Sequence, residues 1–389
     1  MPTPAYRLSG LPPYAFAVRG QRIQEMLSAG VDVISLDIGS PDLPPPSEVV
    51  ESLVDSARLP GHHGYSGYRG IPAFRQAVAR YYQRRFGVVL DPEREVLPLI
   101  GSKEGIVNLG LAYLDKGDVA LVPDVSYPPY SMGAYLAGAE VCWMPVTQES
   151  GYLPDVSSIP VEVARRSKIL WVNYPHNPTG ATAELSFYAE VVSFCREHDI
   201  LLASDNPYVD VTYDGYQAPS VLQVPGAMDC AVEFMSFSKT YNMGGWRLGA
   251  AVGNSAVLKT LLQVKSNVDS GHFRAVYDAG VTAVETTSQQ WIEERNRVYQ
   301  RRRDYVLEIL PEIGLRADKP KGSLYVWAQV VEGDGSFYAD QALSQAFVAV
   351  APGEIYGPGG KQYVRLSVAV PDERLKQALD RLRHWYVNR

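Results

Sequence analysis

Between residues 95 and 255 the sequence alternates short apolar runs with longer amphipathic ones, and few folds accept that rhythm. Seven runs stand out: VLPLIG (96–101), VALVP (119–123), VCWMPV (141–146), KILWVNY (168–174), ILLAS (200–204), AVEFMS (231–236) and RLGAAVG (247–253). Their length and near-continuous apolar character suit strands buried on both faces. The intervening stretches, such as ELSFYAEVVSFCREHD (184–199), carry apolar residues at helical spacing. Strand-then-helix alternation predicts an α/β fold, with a large, mostly parallel seven-stranded sheet sandwiched by helices.

The rest of the chain has a different texture. After a long helical stretch near 285–311 come SLYVWAQV (323–330), FVAVAPG (347–353) and YVRLSVAV (363–370), then the helical pattern DERLKQALDRLRHWY. A smaller α+β domain is expected there. The first 45 residues, with a helix near 15–29 and the extended VDVISLDIG, are expected to pack against it. The expected division is therefore 46–284 for the large domain, and 1–45 with 285–389 for the small one. A chain of 389 residues with 46% hydrophobic content can bury cores of that size.

Composition removes several functional classes. The formal charge is −7 and the basic residues are scattered, which argues against a nucleic-acid surface. The densest basic cluster, RNRVYQRRRD (295–304), is expected to be the solvated face of a helix whose apolar positions are Val298, Tyr305 and Ile309. Cys142, Cys195 and Cys230 share no CxxC spacing, so neither a disulfide framework nor a metal site is expected, and a reducing compartment fits. No signal-peptide core opens the chain and no run of 18 apolar residues occurs, so a cytoplasmic protein without a membrane partner is expected.

Ligands of open α/β sheets gather beyond the carboxyl ends of the strands. GSKEG follows the first run: small residues opening a helix, which suit an anion or serve as an ordinary cap by Ser102. DVSYPPY puts Tyr127 and Tyr130 on a proline-stiffened loop, and PHNPTG offers the Asn177 amide. Asp205 ends ILLAS, where it caps the next element or holds a buried cation; Tyr208 follows. SFSKTYNMGGWRLG then brings Ser236, Ser238 and Arg247, suited to a phosphate, around the lone amine Lys239. Near other cations and low-dielectric walls such an amine is a nucleophile toward carbonyls. A phosphate cradle, a stacking aromatic, an amide, a carboxylate and a reactive lysine are together what pyridoxal phosphate needs.

These motifs, HNPTG and SFSKTYNMGGWRLG above all, resemble the class I/II aminotransferases, the aspartate-aminotransferase-like branch of fold type I pyridoxal-phosphate enzymes. GYSGYRGIPAFRQAVARYY, GSKEG and GDVALVPDVSYPPY match in order, from DVISLDIGSPDLPPP to YVRLSVAV. YPHNPTGA and SDNPYVDVTYDGY are most similar in wording to sequences grouped as LL-diaminopimelate aminotransferases and related broad-range enzymes. The resemblance implies that Lys239 forms a Schiff base with the cofactor and shuttles the substrate α-proton. It implies that Asp205 pairs with the pyridine nitrogen, Asn177 and Tyr208 with the ring oxygen, and that Tyr127 stacks on the ring. Ser102, Lys103 (through its backbone), Ser236, Ser238 and Arg247 would hold the phosphate. Arg365 would grip the substrate α-carboxylate, aided by Asn177 and the Gly39 backbone. Tyr65 would reach the cofactor of a partner subunit, so a homodimer is implied.

DNPY stands where the family commonly has DEAY, with Asp and Tyr at the same spacing. The activity implied is transfer of an amino group from an L-amino acid to a 2-oxo acid; a carbon–sulfur β-lyase on the same fold begins with the same proton removal and is the alternative. His62, His63 and His176 are read as structural. Residues 10–20, 266–274 and 321–327 are expected to line the side-chain pocket, with Lys265, Asn267, Arg274 and Tyr325 as candidates for reading the distal end of the substrate.

Overall fold

The computed structural model describes residues 13–389 together with residues 2, 3, 5, 8 and 11. Gly10 and Pro12, within the 10–20 segment expected at the pocket, lie outside the described residues. After a short strand β1 (Ile34–Ser35) come β2 (Val96–Leu99), β3 (Val119–Pro123), β4 (Glu140–Met144) and β5 (Ser167–Val172). Then follow β6 (Leu201–Asp205), β7 (Ala231–Ser236) and β8 (Gly249–Gly253). Strands β2 to β8 form one seven-stranded sheet in the order β2-β8-β7-β6-β5-β3-β4. Only β8 runs against its neighbours; the β3–β4, β3–β5, β5–β6 and β6–β7 pairs are parallel. The mostly parallel seven-stranded sheet expected from the sequence is what forms.

Continuous apolar runs mark these strands because both faces are covered. In β5, Leu170 and Val172 enter the core beneath the helices Pro72–Phe86, Leu185–Glu197 and Arg274–Thr286. Ile169 and Trp171 face the helices Ser102–Tyr113, Pro129–Ala137 and Ser255–Val268. Trp171 stacks on Tyr130 with ring centroids 4.6 Å apart. The chain moves outward from β3 to β4, then returns to the far side of β3 for β5 and continues to β6 and β7. That reversal opens a crevice beyond the carboxyl ends of β3 and β5, where ligands of such sheets sit.

The remaining strands are β9 (Leu315–Arg316), β10 (Tyr325–Val330), β11 (Val348–Ala349), β12 (Ala351–Pro352) and β13 (Tyr363–Ser367). They make an antiparallel sheet, β12-β13-β10-β9, while β1 pairs in parallel with β11. Strand β1 of the N-terminal segment thus pairs with a strand of the C-terminal part. The long helical stretch near 285–311 is the helix Gln289–Ile309, which begins just after the helix Arg274–Thr286 ends. Ser288 separates them, its hydroxyl accepting the free N–H of Trp291 at 3.1 Å as an N-cap.

The basic cluster on Gln289–Ile309 departs from expectation. Arg295, Arg302 and Arg303 are buried rather than solvated. Arg302 reaches Asp42 at 2.9 Å and Asp372 at 2.5 Å; Arg303 reaches Asp214 and the Pro320 carbonyl, both at 2.7 Å. A buried guanidinium needs such partners, and these lie on segments far away in sequence. The charge pattern of the helix alone cannot reveal them. Replacing Arg303 by Met takes the donor from the buried Pro320 carbonyl and leaves Asp214 only Lys319, at 3.4 Å, so a loss of about 1–3 kcal/mol is expected in urea denaturation. A variant within experimental error of the parent would show this pair to behave like an exposed one.

Candidate active site

A cavity of about 400 Å³ occupies the crevice and continues between the two sheets. It is lined by Ser102, Lys103, Tyr127, Asn177, Asp205, Tyr208, Ser236, Ser238, Lys239, Arg247, Arg365 and Gly39, every residue to which the resemblance gives a cofactor or substrate-carboxylate role except Tyr65. Tyr65 is 92% exposed on the chain's surface.

One end of the cavity is built for an anion. The helix Ser102–Tyr113 begins there after Gly101, whose φ of +73° suits glycine. A Cβ on Gly101 would lie 2.3 Å from an Arg247 guanidinium nitrogen, so the arginine packs directly on the helix entrance. Arg247 itself adopts a left-handed φ of +57°, uncommon for a residue with a Cβ and frequent at functional sites. Opposite, Ser236 caps the one-turn helix Phe237–Thr240, accepting from the Ser238 N–H at 3.3 Å.

Asp205 stands at the end of β6, buried. One carboxylate oxygen accepts from the Tyr130 hydroxyl at 2.7 Å; the other has no protein partner. Burial pushes its pKa up to about 7, against the Tyr130 hydrogen bond and with a small push from Glu233. An orphan carboxylate oxygen in a dry site matches a cationic N–H donor supplied by a ligand.

Lys239 lies between this acid and the second sheet. Its Nζ donates to the Gly39 carbonyl and stands 5.9 Å from the centre of the Tyr208 ring. Burial lowers its pKa; the Tyr325 phenol opposes that, while Arg365 and Arg247 add to it. Arg365, on β13, donates to the Asn177 side-chain oxygen at 2.9 Å and to the Asp37 carbonyl at 2.6 Å, leaving Nε without a partner. Its guanidinium rests 3.8 Å from the centre of the Tyr325 ring. The Tyr325 hydroxyl pairs with that of Tyr208 at 2.8 Å and presses on Gly39, where a Cβ would sit 1.8 Å from it. Only glycine fits there.

Of the candidates for reading a distal group, Tyr325 alone lines this chain's cavity. Lys265 is buried outside it, neutralised by Asp269 at 2.7 Å with Glu104 at 3.5 Å. Asn267 bonds its own helix at Gln263, and Arg274 faces Asp278. His176 is buried with its pKa lowered to about 3 and shares a 2.7 Å bond with Thr179, while His62 bonds Ser56 at 2.8 Å away from the cavity. One supporting residue escaped the sequence reading, and another was named there without its partner. Asn173 donates to the Asp205 carbonyl at 2.5 Å while accepting from the Asn177 N–H at 2.8 Å, and Tyr130, read only as a loop tyrosine, donates to one Asp205 oxygen. Both sit beside strand ends, but neutral side chains draw less notice than charges.

Residues 31–382 match the model of the family described as aminotransferase class I and II. The chain belongs to that family. It is 49% identical over 380 residues to the LL-diaminopimelate aminotransferase of Moorella thermoacetica, covering 97% of each chain. It is 44% identical over 379 residues to the enzyme of the same name from Aquifex aeolicus, covering 97% of this chain and 98% of that one. Among solved structures, BacF from Bacillus subtilis superposes with a TM-score of 0.95 at 36% identity over 99% of each chain. Aspartate aminotransferase from Thermus thermophilus with maleate superposes with a TM-score of 0.91 at 30% identity, covering 99% of this chain and 100% of that one. This aminotransferase therefore has a fold type I architecture, and transamination rather than β-elimination is the chemistry of its named relatives.

The Asp205 environment makes a testable statement about pH. Its folded-state pKa near 7 lies above the ordinary 3.8, so the stability it contributes is complete below pH 3.8 and is lost as pH rises through 7. Asp205→Asn cannot ionise. In ligand-free protein the variant should gain on the parent as pH climbs from 4 to 8, by about 4 kcal/mol at most. Urea midpoints across that range measure it; a pH-independent difference would mean that Asp205 ionises normally.

Proposed function

We propose that the enzyme is a pyridoxal 5′-phosphate-dependent aminotransferase acting on LL-diaminopimelate as amino donor and a 2-oxo acid as acceptor, as a cytoplasmic homodimer. The observation that carries this reading is the convergence, in one cavity, of a buried amine, an acid with an orphan oxygen, an anion cradle and a half-engaged guanidinium. The residues fit the cofactor: Asp205 would pair with its ring nitrogen, Asn177 and Tyr208 with its ring oxygen, and Tyr127 would cover the ring. Ser102, the Lys103 backbone, Ser236, Ser238 and Arg247 would hold the phosphate, and Lys239 would be the covalent anchor. When bound, pyridoxal phosphate supplies an aldehyde that condenses with amines and a ring that accepts the electrons left when the α-proton departs.

The chain's residues do the positioning and the proton transfer. Arg365 takes the substrate α-carboxylate through its fork and so aligns the Cα–H bond, with Asn177 holding the guanidinium in plane. Burial shifts Lys239 toward its neutral form, the form that takes the proton from the substrate Cα and returns it in the reverse half-reaction. The buried walls around Tyr208 and Tyr325 exclude water from that transfer.

The diaminopimelate reading is supported by relatives at 44–49% identity that bear this substrate's name. The dimer reading is supported by the exposed Tyr65 and Tyr68, at 92% and 51%, near the stacked His63 and Phe273 rings. The cytoplasmic reading is supported by three free thiols. Among the described residues no helix is long and apolar enough to cross a membrane.

Mixing holoenzyme with single amino acids and following the cofactor absorbance tests the function. LL-Diaminopimelate should convert the cofactor faster than lysine, glutamate or aspartate; conversion by none of them would sink the reading. Arg365→Lys loses the two-pronged grip, so KM for the amino donor should rise about 10- to 100-fold, the worth of one charged hydrogen bond. An unchanged KM would remove Arg365 from the substrate site.

A further inference from the structure

We infer that Arg295 is a positioning residue for the reaction: its guanidinium ties the peptide carrying Lys239 and the segment carrying Tyr208 to one shared point on the helix Gln289–Ile309. The inference rests on the reading of Lys239 and Tyr208 given above. Lys239 belongs to a helix of four residues, Phe237–Thr240. The last carbonyls of any helix lack donors from within it. Here Arg295 Nη1 donates to the carbonyls of Lys239, at 3.0 Å, and of Thr240. Arg295 Nη2 donates to the carbonyl of Asp210, which also accepts from Asn296 Nδ2 at 2.9 Å. Asp210 lies two residues past Tyr208, and the Val211 N–H donates to the Tyr208 carbonyl at 2.8 Å, so this turn and the phenol move together.

The partners are unusual for a buried arginine. Its Nε and Nη2 also donate to the Asn296 side-chain oxygen, at 3.1 and 2.8 Å, so every hydrogen-bond partner is a neutral oxygen. Arg295 is 3% exposed, with its guanidinium 5.6 Å from the centre of the Trp291 ring. Simple cohesion at this helix position could be had from an apolar side chain, without burying a charge. What an apolar side chain cannot do is fix the direction of three carbonyls from two other segments. Those directions set where the Lys239 and Tyr208 side chains emerge, and with them the 5.9 Å between amine and ring. A misplacement of about 1 Å in such a constellation lowers turnover on the order of 100-fold.

Arg295→Met keeps an apolar chain against Trp291 and removes the fork; Arg295→Lys keeps the charge and restores fewer bonds. In ligand-free protein, reductive methylation over a pH series, with Lys239 followed by peptide mass, should show the midpoint of Lys239 labelling shifted in the Met variant and partly restored in the Lys variant. In holoenzyme the Met variant should lose about 10- to 100-fold in kcat with KM for the amino donor within about twofold. A folded Met variant with parental labelling midpoint and kcat would overturn the inference and leave Arg295 a brace. If the Met variant does not fold, the Lys variant decides, parental values in both readouts again overturning it. Should the parent transaminate nothing, the proposed function fails while the labelling experiment still judges Arg295.

Discussion

Asp205 carries a negative charge, or a proton, at the end of the middle strand of a seven-stranded sheet, and the chain supplies it with one hydroxyl partner only. Much of the surrounding arrangement follows from keeping that carboxylate dry and aimed. Tyr130 can reach it because Trp171 holds the phenol ring in a near-parallel stack, 8° between planes. Asn173 holds its backbone and, through the Asn177 N–H, the turn that carries the next amide into the cavity. The sheet's burial on both faces thus does more than stabilise the fold. It creates a strand end where an unpaired carboxylate persists, with a pKa high enough to make a cationic partner welcome.

The cavity's other charges are the complement of that acid. Lys103, Lys239, Arg247 and Arg365 line it against Asp37 and Asp205. Burial lowers the pKa of both lysines, repulsion from the neighbouring guanidiniums adds to it, and the guanidiniums are left in want of anions. A phosphate at the Arg247 end and a carboxylate at the Arg365 end relieve the repulsion from two sides. The lysine between them is then the group whose protonation is most easily adjusted.

How far the sequence discloses this depends on whether the information is local. Strand, strand end and next residue form a one-dimensional signal, so Asp205, Asn177, Lys239 and the seven runs could be read directly. The start of the helix Gln289–Ile309 is also local, marked by the single cap Ser288. Burial of Arg295, Arg302 and Arg303 was mostly not local. Beside the adjacent Asn296 and Asp304, their partners are Lys239, Thr240, Asp210, Asp42, Asp372, Val368, Asp214 and Pro320, and nothing in RNRVYQRRRD distinguishes those arginines from the exposed Arg297 and Arg301. Lys265 shows the converse error. Asp269 stands four residues on, the spacing of a helical ion pair, and that neighbour neutralises the amine that had been a candidate for the substrate.

The three buried arginines also bear on how the site is held together. Gly39 and Arg365 belong to the unit built on the smaller sheet, while Lys239, Asp205 and Tyr208 follow strands of the larger one. Amine and carboxylate grip therefore come from different sheets, joined directly by the Arg365–Asn177, Lys239–Gly39 and Tyr208–Tyr325 hydrogen bonds. The helix Gln289–Ile309 adds a further connection. Its Arg295 reaches the lysine turn, Arg302 the Asp42 loop that follows Gly39, and Arg303 the Asp214 loop beyond Tyr208. Spaced along one helix, the three guanidiniums thus tie together three segments that border the cavity. A helix is better suited to that task than a loop, since its hydrogen bonds are internal and its side chains are free to point outward as struts.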